Sequence, residues 1–241
     1  MGVDLWDEDE APIQNGAGDK LTQKRKTFLE DCAKDPALYV WGVDPETQLA
    51  IVRTKDTHDE EHPIKPLPQW DYTGFLFAQF AIHNKVIVDK PRQMMVSWFA
   101  LLWLDYLCLF RDYRTCLLNK ATQNEAETML LGRLGVVHKF WPKWFSDWAQ
   151  VKEVRSTPAG YEYGRTGSIL TATGENVEDR AARGDQASCF VVDEAARCPR
   201  LREILAAVAP MAKQIILIST PELGSPGAAY FAEIINEGRE A

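Results

Sequence analysis

The sequence predicts an α/β fold built on a doubly wound, mostly parallel sheet. Short unbroken apolar runs alternate along the chain with longer segments of helical spacing, and this alternation is typical of parallel strands covered by helices on both faces. Several runs end directly in polar residues, at the carboxyl ends of strands, where such sheets bind ligands. A length of 241 residues with 46% hydrophobic side chains is sufficient for a substantial core.

The chain divides into three parts by composition. Residues 1–20 are acidic without an apolar period and predict a flexible arm, whereas 21–68 predict an N-terminal helix (21–38) and a connector with a loop at 56–68. Residues 69–241 predict the sheet domain. Its strands are expected at 86–88, 115–118, 168–172, 189–192 and 214–218, with helices over about 97–110 and 122–134.

Charge and hydropathy narrow the classes of function. The net charge of −8 argues against a free-standing DNA-binding domain, because phosphate neutralisation by basic residues supplies most of the affinity of such domains. Contact with DNA would need a local basic patch, or a ring of subunits around the duplex. The most apolar stretch, 98–110, is too short to cross a bilayer and predicts a buried helix. The acidic start lacks the pattern of a secretion signal.

Cysteine spacing and an aromatic cluster both favour structural roles. The five cysteines show no paired ligand spacing, which predicts reduced, mostly structural thiols rather than a metal site. A run of aromatic residues predicts core packing in preference to a platform for stacking nucleic-acid bases. These residues are Phe140, Trp141, Trp144, Phe145 and Trp148.

A phosphate-binding loop is predicted between the strand at 86–88 and the helix after it. Such a loop needs backbone N–H groups at a helix N-terminus and a nearby cation, and its usual form has two glycines, a lysine and then Ser or Thr. The segment here reads Lys90, Pro91, Arg92, Gln93, Met94, Met95, Val96 and Ser97. Ser97 falls at the Mg²⁺-binding hydroxyl, whereas Val96 occupies the lysine position and Met95 that of the second glycine. Either Lys90 or Arg92 would supply the charge; the alternative is an ordinary basic turn.

An acidic pair at a strand end is the second feature with chemical meaning. The apolar run 189–192 is followed by Asp193 and Glu194. In nucleoside triphosphate hydrolysis, an Asp at this place helps to hold Mg²⁺, and a following Glu polarises the attacking water. A solvated strand end without a catalytic role is the alternative interpretation. Downstream of a phosphate-loop segment in a parallel-sheet pattern, the pair favours hydrolysis.

Residues of about 70 to 225 resemble the ATPase domain of the large terminase subunit of tailed bacteriophages. Arg92-Gln93 resembles that family's Arg-Gln-x-Gly-x-Ser/Thr form, in which the lysine is often displaced. Arg183-Gly184, leading into Asp193-Glu194-Ala195-Ala196, resembles its Arg-Gly element and Asp-Glu-Ala-Ala box. Ser219-Thr220-Pro221 resembles its coupling motif, and Asp71-Tyr72 its adenine-contacting segment.

The resemblance implies a P-loop NTPase fold of the additional-strand, catalytic-glutamate type, with ATP and Mg²⁺ bound. It implies that Arg183 reaches a neighbouring subunit's site as an arginine finger, that Thr220, with Ser219, senses the γ-phosphate, and that Tyr72 stacks on adenine.

Two residues of this sequence differ from the family's pattern at positions that bear on nucleotide binding. Met95 replaces a glycine of the family, which affects phosphate binding and rate. Thr73 replaces a glutamine, which affects adenine selectivity, with Gln69 or Gln79 as substitutes.

The resemblance also implies a biological role, the ATP-driven packaging of viral double-stranded DNA. Family members form a ring at the portal vertex of a procapsid in the host cytoplasm, with portal protein, small terminase subunit and double-stranded DNA as partners; the isolated chain could be monomeric, and no membrane is involved. The family's nuclease domain is not expected within 1–241, which is either an isolated motor domain or one paired with a separate nuclease chain. The alternatives are a catalytically weak or inactive nucleotide-binding docking module, and another nucleic-acid translocase.

Overall fold

The structure, a computed structural model, describes residues 21–56, 59–92, 94–174, 186–220 and 224–240. The strands in these ranges are β1 (Arg53–Lys55), β2 (Ile64–Pro66), β3 (Lys85–Asp89), β4 (Thr115–Asn119), β5 (Val151–Val154), β6 (Gly160–Tyr163), β7 (Ser168–Thr173), β8 (Cys189–Asp193) and β9 (Ile215–Ser219). The helices are α1 (Gln23–Lys34), α2 (Pro36–Trp41), α3 (Asp71–Ile82), α4 (Val96–Phe110), α5 (Gln123–Lys139), α6 (Lys143–Ala149), α7 (Leu201–Val208) and α8 (Ala228–Glu240), with a 3₁₀ turn at Ala195–Arg197.

Seven of the described strands form one sheet in the order β3-β9-β8-β4-β7-β6-β5. The strands from β3 to β7 in this order pair in parallel, whereas β6 pairs antiparallel with both β7 and β5. The carboxyl ends of the parallel strands therefore meet at one edge. The predicted α/β class and mostly parallel sheet are confirmed, and so are the five predicted strands, each within about two residues of its expected ends.

Helices cover both faces of the sheet, as a doubly wound fold requires. Along β8, Val191 belongs to the hydrophobic cluster that contains the buried residues of α4 and α5. Its neighbours Phe190 and Val192 belong to a second cluster, with residues of α7 and α8. Successive side chains of a strand point to opposite faces. Because both faces are covered, the central strands are apolar throughout, and this produces the unbroken runs in the sequence.

Helix α4 passes through the larger core and carries one buried carboxylate. Asp105 accepts hydrogen bonds from the hydroxyls of Tyr39 and Tyr163, and its Oδ1 lies 3.0 Å from Nε2 of His138. Three polar partners explain how a charged residue is tolerated in the most apolar segment, since a buried charge must be paired or hydrogen-bonded. Among the described residues, no helix is both long and apolar enough to span a membrane.

Two sequence expectations for residues 21–68 need correction. The single predicted helix is two helices, because the Asp35 side chain caps a new helix by accepting from Ala37 N at 2.9 Å, and Pro36 occupies its first turn. The predicted loop at 56–68 contains a strand, since Lys65 pairs antiparallel with Thr54 in a β1–β2 hairpin. A three-residue strand gives little periodicity, so its pairing was not predictable locally.

The structural roles predicted for the aromatic cluster and the cysteines agree with burial. Trp141, Trp144 and Phe145 are buried in the larger core. All five cysteines are buried, and none of them forms a disulfide. Burial raises the pKa values of Cys108 and Cys189 well above the ordinary value, so both remain protonated at neutral pH.

Candidate functional site

A cleft of about 1250 Å³ lies over the carboxyl ends of β3, β4, β8 and β9. It brings together most of the residues predicted for the site from distant parts of the sequence. The predicted residues that line it are Lys90, Arg92, Met94, Met95, Ser97, Asp193, Glu194, Ser219 and Thr220. Ligand binding at this edge is the rule for open parallel sheets.

The loop between β3 and α4, where the phosphate loop is predicted, holds one residue in an unfavourable backbone conformation. Met95 adopts the left-handed conformation, with φ of 50° and ψ of 8°. A glycine tolerates this conformation, whereas an L-residue with a side chain pays about 1–2 kcal/mol. Val96 begins α4 with a side chain only 3% exposed in the core. The residue at the usual lysine position therefore contributes no polar group to the cleft.

Ser97 and Asp193 are joined directly. The Ser97 hydroxyl, in the first turn of α4, donates to Oδ1 of Asp193 at 2.8 Å. Asp193 ends β8 and is 2% exposed. Mg²⁺ in nucleotide sites usually takes one or two protein oxygens, with phosphate and water oxygens completing an octahedron. A hydroxyl and a carboxylate at one point of the cleft fit this requirement.

Glu194 follows Asp193 in a strained backbone conformation. Its φ is 58° and its ψ is 43°, in the left-handed region, where it caps the 3₁₀ turn. Such strain in a non-glycine residue is typical of functional sites. The side chain is 40% exposed, and Oε2 lies 3.0 Å from Nη1 of Arg197 and 3.1 Å from Nζ of Lys120. The carboxylate is thus accessible from the cleft and held by two cations.

Lys120 was missed by the sequence interpretation. Its ammonium lies 3.1 Å from Oδ2 of Asp193 as well as 3.1 Å from Oε2 of Glu194, and its side chain is 10% exposed. The residue directly follows Asn119, the last residue of β4, and β4 is the neighbour of β8 in the sheet. A lysine just past a predicted parallel strand was the available signal.

Arg133 is a second cation that sequence reasoning did not single out. It projects from α5 into the cleft, with its guanidinium 5.5 Å from the centre of the Trp98 ring. Burial lowers the pKa of Arg133, although the charges of Asp193 and Glu194 act in the opposite direction. Among the described residues, its buried Nη1 has no hydrogen-bond partner. A lone arginine within a helix gives no sequence signal.

The end of β9 is attached to the turn that follows Glu194. Ser219 Oγ accepts a hydrogen bond from Ala196 N at 3.0 Å, and Ser219 O accepts one from Lys90 N at 3.0 Å. Ser219 is 1% exposed, and Thr220 beside it lines the cleft. The β9 end therefore contacts both the acidic pair's turn and the first residue of the loop.

Tyr72 lies at the border of the cleft, and Trp70 forms part of its wall. The Tyr72 hydroxyl donates to Met94 O at 3.0 Å, which attaches α3 to the loop between β3 and α4. The Tyr72 ring stacks on Trp70, with centroids 5.5 Å apart and an interplanar angle of 17°. Trp70 lines the cleft and is 42% exposed. The adenine role of Tyr72 stays a prediction, with Trp70 as a neighbouring aromatic surface.

Several predicted site residues lie outside the described ranges. They are Gln93, Arg183, Gly184 and Pro221. Their predicted roles, including that of Arg183 as an arginine finger, stay predictions. Pro91 is exposed beside Arg92 in the loop.

The parallel sheet, the loop between β3 and α4 and the acidic pair after β8 define the fold of a P-loop NTPase. The chain is similar to the crystal structure of the HK97 bacteriophage large terminase, with a TM-score of 0.57 and 10% identity over 73% of this chain and 38% of that one. It is also similar to the large terminase of a thermophilic bacteriophage, with a TM-score of 0.50 and 9% identity over 71% of this chain and 44% of that one.

These comparisons confirm the resemblance to large terminases at the level of the fold. The matched region spans less than half the length of both solved structures. No protein family model matches the sequence, and no curated protein does. The likeness therefore lies in the three-dimensional arrangement of the sheet and its helices.

Proposed function

We propose that this chain is the ATP-hydrolysing motor domain of a viral DNA-packaging machine, the role of a large terminase ATPase. The hydrogen bond between Ser97 and Asp193, with Glu194 next to it in the same cleft, carries the proposal. A hydroxyl and a carboxylate in contact would together hold Mg²⁺, and the adjacent carboxylate would activate water, as hydrolysis requires. The fold shared with two large terminases supports the same conclusion.

The chemistry assigned to this chain is positioning, charge stabilisation and proton transfer. The backbone N–H groups at the start of α4 would bind phosphate oxygens, and Ser97 with Asp193 would hold Mg²⁺. Bound Mg²⁺ supplies neutralisation of charge on the β- and γ-phosphates. Glu194 would orient a water molecule toward the γ-phosphorus and accept its proton as the bond to the β–γ bridging oxygen breaks. The products are ADP and inorganic phosphate.

The contacts of β9 support a route from hydrolysis to movement. Ser219 joins the turn after Glu194 to the end of β9, and Thr220 follows directly in the cleft. A γ-phosphate bound near Thr220 would hold the carboxyl end of β9 in one position. Release of the phosphate would allow this end of the strand to move. A shift of the chain after β9 would then move DNA toward the capsid.

Assembly into a ring completes the proposal. Arg183 of one subunit would act on ATP held by its neighbour, and such a finger accelerates hydrolysis by about 10³- to 10⁵-fold. The net charge of −8 is consistent with DNA held by a ring rather than by a single basic domain. The partners would be portal protein, small terminase subunit and double-stranded DNA, at the procapsid in the host cytoplasm.

A second candidate is a nucleotide-binding docking module with little or no catalysis. Met95 in the left-handed conformation and the burial of Val96 favour it, because both weaken the ordinary phosphate loop. Glu194 favours the motor, since a docking module has no need of a water-activating carboxylate.

Phosphate release from Mg-ATP, measured over a series of protein concentrations, separates the two functions. For the motor, we expect Glu194→Gln to lower turnover by about 10²- to 10⁴-fold. Glu203→Gln, an equal change on the exposed face of α7, should leave turnover unchanged. Turnover that rises faster than linearly with concentration, and that Arg183→Ala abolishes, supports the ring. A wild type no faster than Glu194→Gln, with DNA and portal present, overturns the motor.

A further inference from the structure

The phosphate loop of this chain lacks an ammonium group at its usual position. Val96 stands there and is buried in the core. A triphosphate carries several negative charges, and the same cleft already contains Asp193 and Glu194. A cation close to the reacting phosphate is therefore needed, because unpaired like charges in a partly buried site are costly.

The carboxyl end of β4 provides a cation beside Asp193 and Glu194. Lys120 Nζ lies 3.1 Å from Oε2 of Glu194. The Glu194 carboxylate is the group that would orient the attacking water. Because that water attacks the γ-phosphorus, a group in contact with Glu194 lies close to where the γ-phosphate reacts. Lys120 also lies within the same cleft as Ser97.

The position of Lys120 is fixed by the strand end that carries it. Asn119, the preceding residue, donates from Nδ2 to Thr173 Oγ1 at 3.0 Å and to Gly174 O at 2.7 Å. Lys120 N itself donates to Thr173 O at 3.3 Å. A Cβ on Gly174 would lie 2.4 Å from Gln123 N, so only glycine permits this close junction with the start of α5. The base of the lysine side chain is thus held on a rigid element.

Other cations in the cleft, Arg133 among them, would allow Lys120 to exchange a carboxylate partner for a phosphate oxygen. The Arg133 guanidinium lines the same cleft, and the charges of Asp193 and Glu194 act on it. Arg197, whose Nη1 lies 3.0 Å from Oε2 of Glu194, would also remain beside the carboxylate when Lys120 binds another anion. An ammonium has three donors, so Lys120 could contact a phosphate oxygen and still donate to a carboxylate.

We propose that Lys120, from the end of β4, supplies the ammonium that binds the γ-phosphate, in place of the lysine that phosphate loops usually carry. This inference rests on the proposed function and deepens it by naming a residue of the same site. The rival role for Lys120 is neutralisation of Asp193 and Glu194 alone. If Lys120 only neutralises the carboxylates, removal of the Glu194 charge should reduce the effect of a Lys120 substitution on ATP affinity. If Lys120 binds the γ-phosphate, the contribution of Lys120 to ATP affinity should persist.

The test measures binding rather than turnover, in a Glu194→Gln background in which hydrolysis is slow. Isothermal titration calorimetry gives the affinities for Mg-ATP and Mg-ADP with and without Lys120→Met. We expect the second substitution to lower ATP affinity at least about tenfold, because a charge-assisted hydrogen bond is lost. ADP affinity should fall much less. Lys213→Met, the same change at the opposite end of the sheet, should alter neither affinity.

The outcomes separate this inference from the proposed function. ATP affinity within about twofold of the parent, or equal losses for ATP and ADP, overturns the role of Lys120 and leaves the motor standing. A Glu194→Gln parent that binds no nucleotide overturns the proposed function and the inference with it. If circular dichroism finds Lys120→Met unfolded, Lys120→Gln, which keeps polar atoms but no charge, is measured against the same criteria.

Discussion

The Ser97 hydroxyl donates a 2.8 Å hydrogen bond to Oδ1 of Asp193, across 96 residues of sequence. The contact joins the first turn of α4 to the carboxyl end of β8, two elements that the sheet order brings to the same edge. A hydroxyl alone at a helix start would be an ordinary capping residue. Its bond to a buried carboxylate, rather than to a backbone N–H, favours a metal-binding role.

Removal of the Ser97 hydroxyl should impair Mg²⁺ use selectively. We expect Ser97→Ala to lower the apparent affinity for Mg²⁺ by about 10- to 100-fold, because one of the oxygens proposed to hold the ion is lost. Ser97→Thr keeps the hydroxyl and is the matched control, with a small effect. Titration of Mg²⁺ at constant ATP in the phosphate-release assay measures both. Equal Mg²⁺ dependence in the two variants would exclude Ser97 as a ligand.

The strain at Met95 should be measurable as stability. Met95→Gly and Met95→Ala both remove the long side chain, but only glycine adopts a φ of 50° without penalty. We expect the glycine variant to be more stable than the alanine variant by about 1 kcal/mol in free energy of unfolding. Urea unfolding monitored by circular dichroism gives the difference. An alanine variant as stable as the glycine variant would contradict a left-handed Met95.

The ion pair between Arg25 and Asp44 should stabilise the packing of the N-terminal helices on the main core. Arg25 Nη2 lies 2.9 Å from Asp44 Oδ2, with side chains only 4% and 0% exposed. Trp144 Nε1 donates to the same oxygen at 2.9 Å. Because Arg25→Ala leaves a buried carboxylate unpaired, we expect a loss of about 3–5 kcal/mol in free energy of unfolding. Lys143→Ala breaks the exposed pair with Asp147 and should cost under about 1 kcal/mol.

The same pair predicts a dependence of stability on pH. Burial raises the pKa of Asp44, but hydrogen bonds from Arg25, Glu46 N and Trp144 outweigh it, and the pKa lies below its ordinary value of 3.8. A carboxyl with a lowered folded-state pKa contributes stability above its unfolded pKa and loses it as pH falls through the folded value. We therefore expect the cost of Asp44→Asn to be constant near neutral pH and to shrink below about pH 4. Urea unfolding from pH 7 to 2.5 tests this, and a cost that grows on acidification would refute it.

The hydroxyl and the aromatic ring of Tyr72 should have separable effects on nucleotide binding. Tyr72→Phe removes the hydrogen bond to Met94 O but keeps the ring, whereas Tyr72→Ala removes both. If the ring stacks on adenine, we expect the alanine variant to lose about tenfold in ATP affinity and the phenylalanine variant to lose little. Calorimetry with ATP and with inorganic triphosphate compares them. Equal loss for both ligands in Tyr72→Ala would assign the residue to the loop rather than to the base.

The local sequence pattern was sufficient to predict the parallel strands of the core and part of the candidate site. A strand covered on both faces must be apolar throughout, so 189–192 and 214–218 were recognisable without knowledge of their neighbours. The residue after such a strand lies at the ligand-binding edge, and Asp193 and Glu194 do line the cleft there. The β1–β2 hairpin was not recognisable, because each strand has three residues and the pairing joins Thr54 to Lys65 across a loop.

The sequence by itself determined which residues are chemically capable and which strands are buried, because both follow from residue type and local periodicity. The tertiary structure decided which strand ends adjoin. β4 lies next to β8, and only this order brings Lys120 within 3.1 Å of Asp193 and Glu194. Arg133 likewise reaches the cleft through the packing of α5 against β4 and β7. Strand order depends on contacts between distant segments, and the hydrophobic pattern within each strand is the same for any order of neighbours.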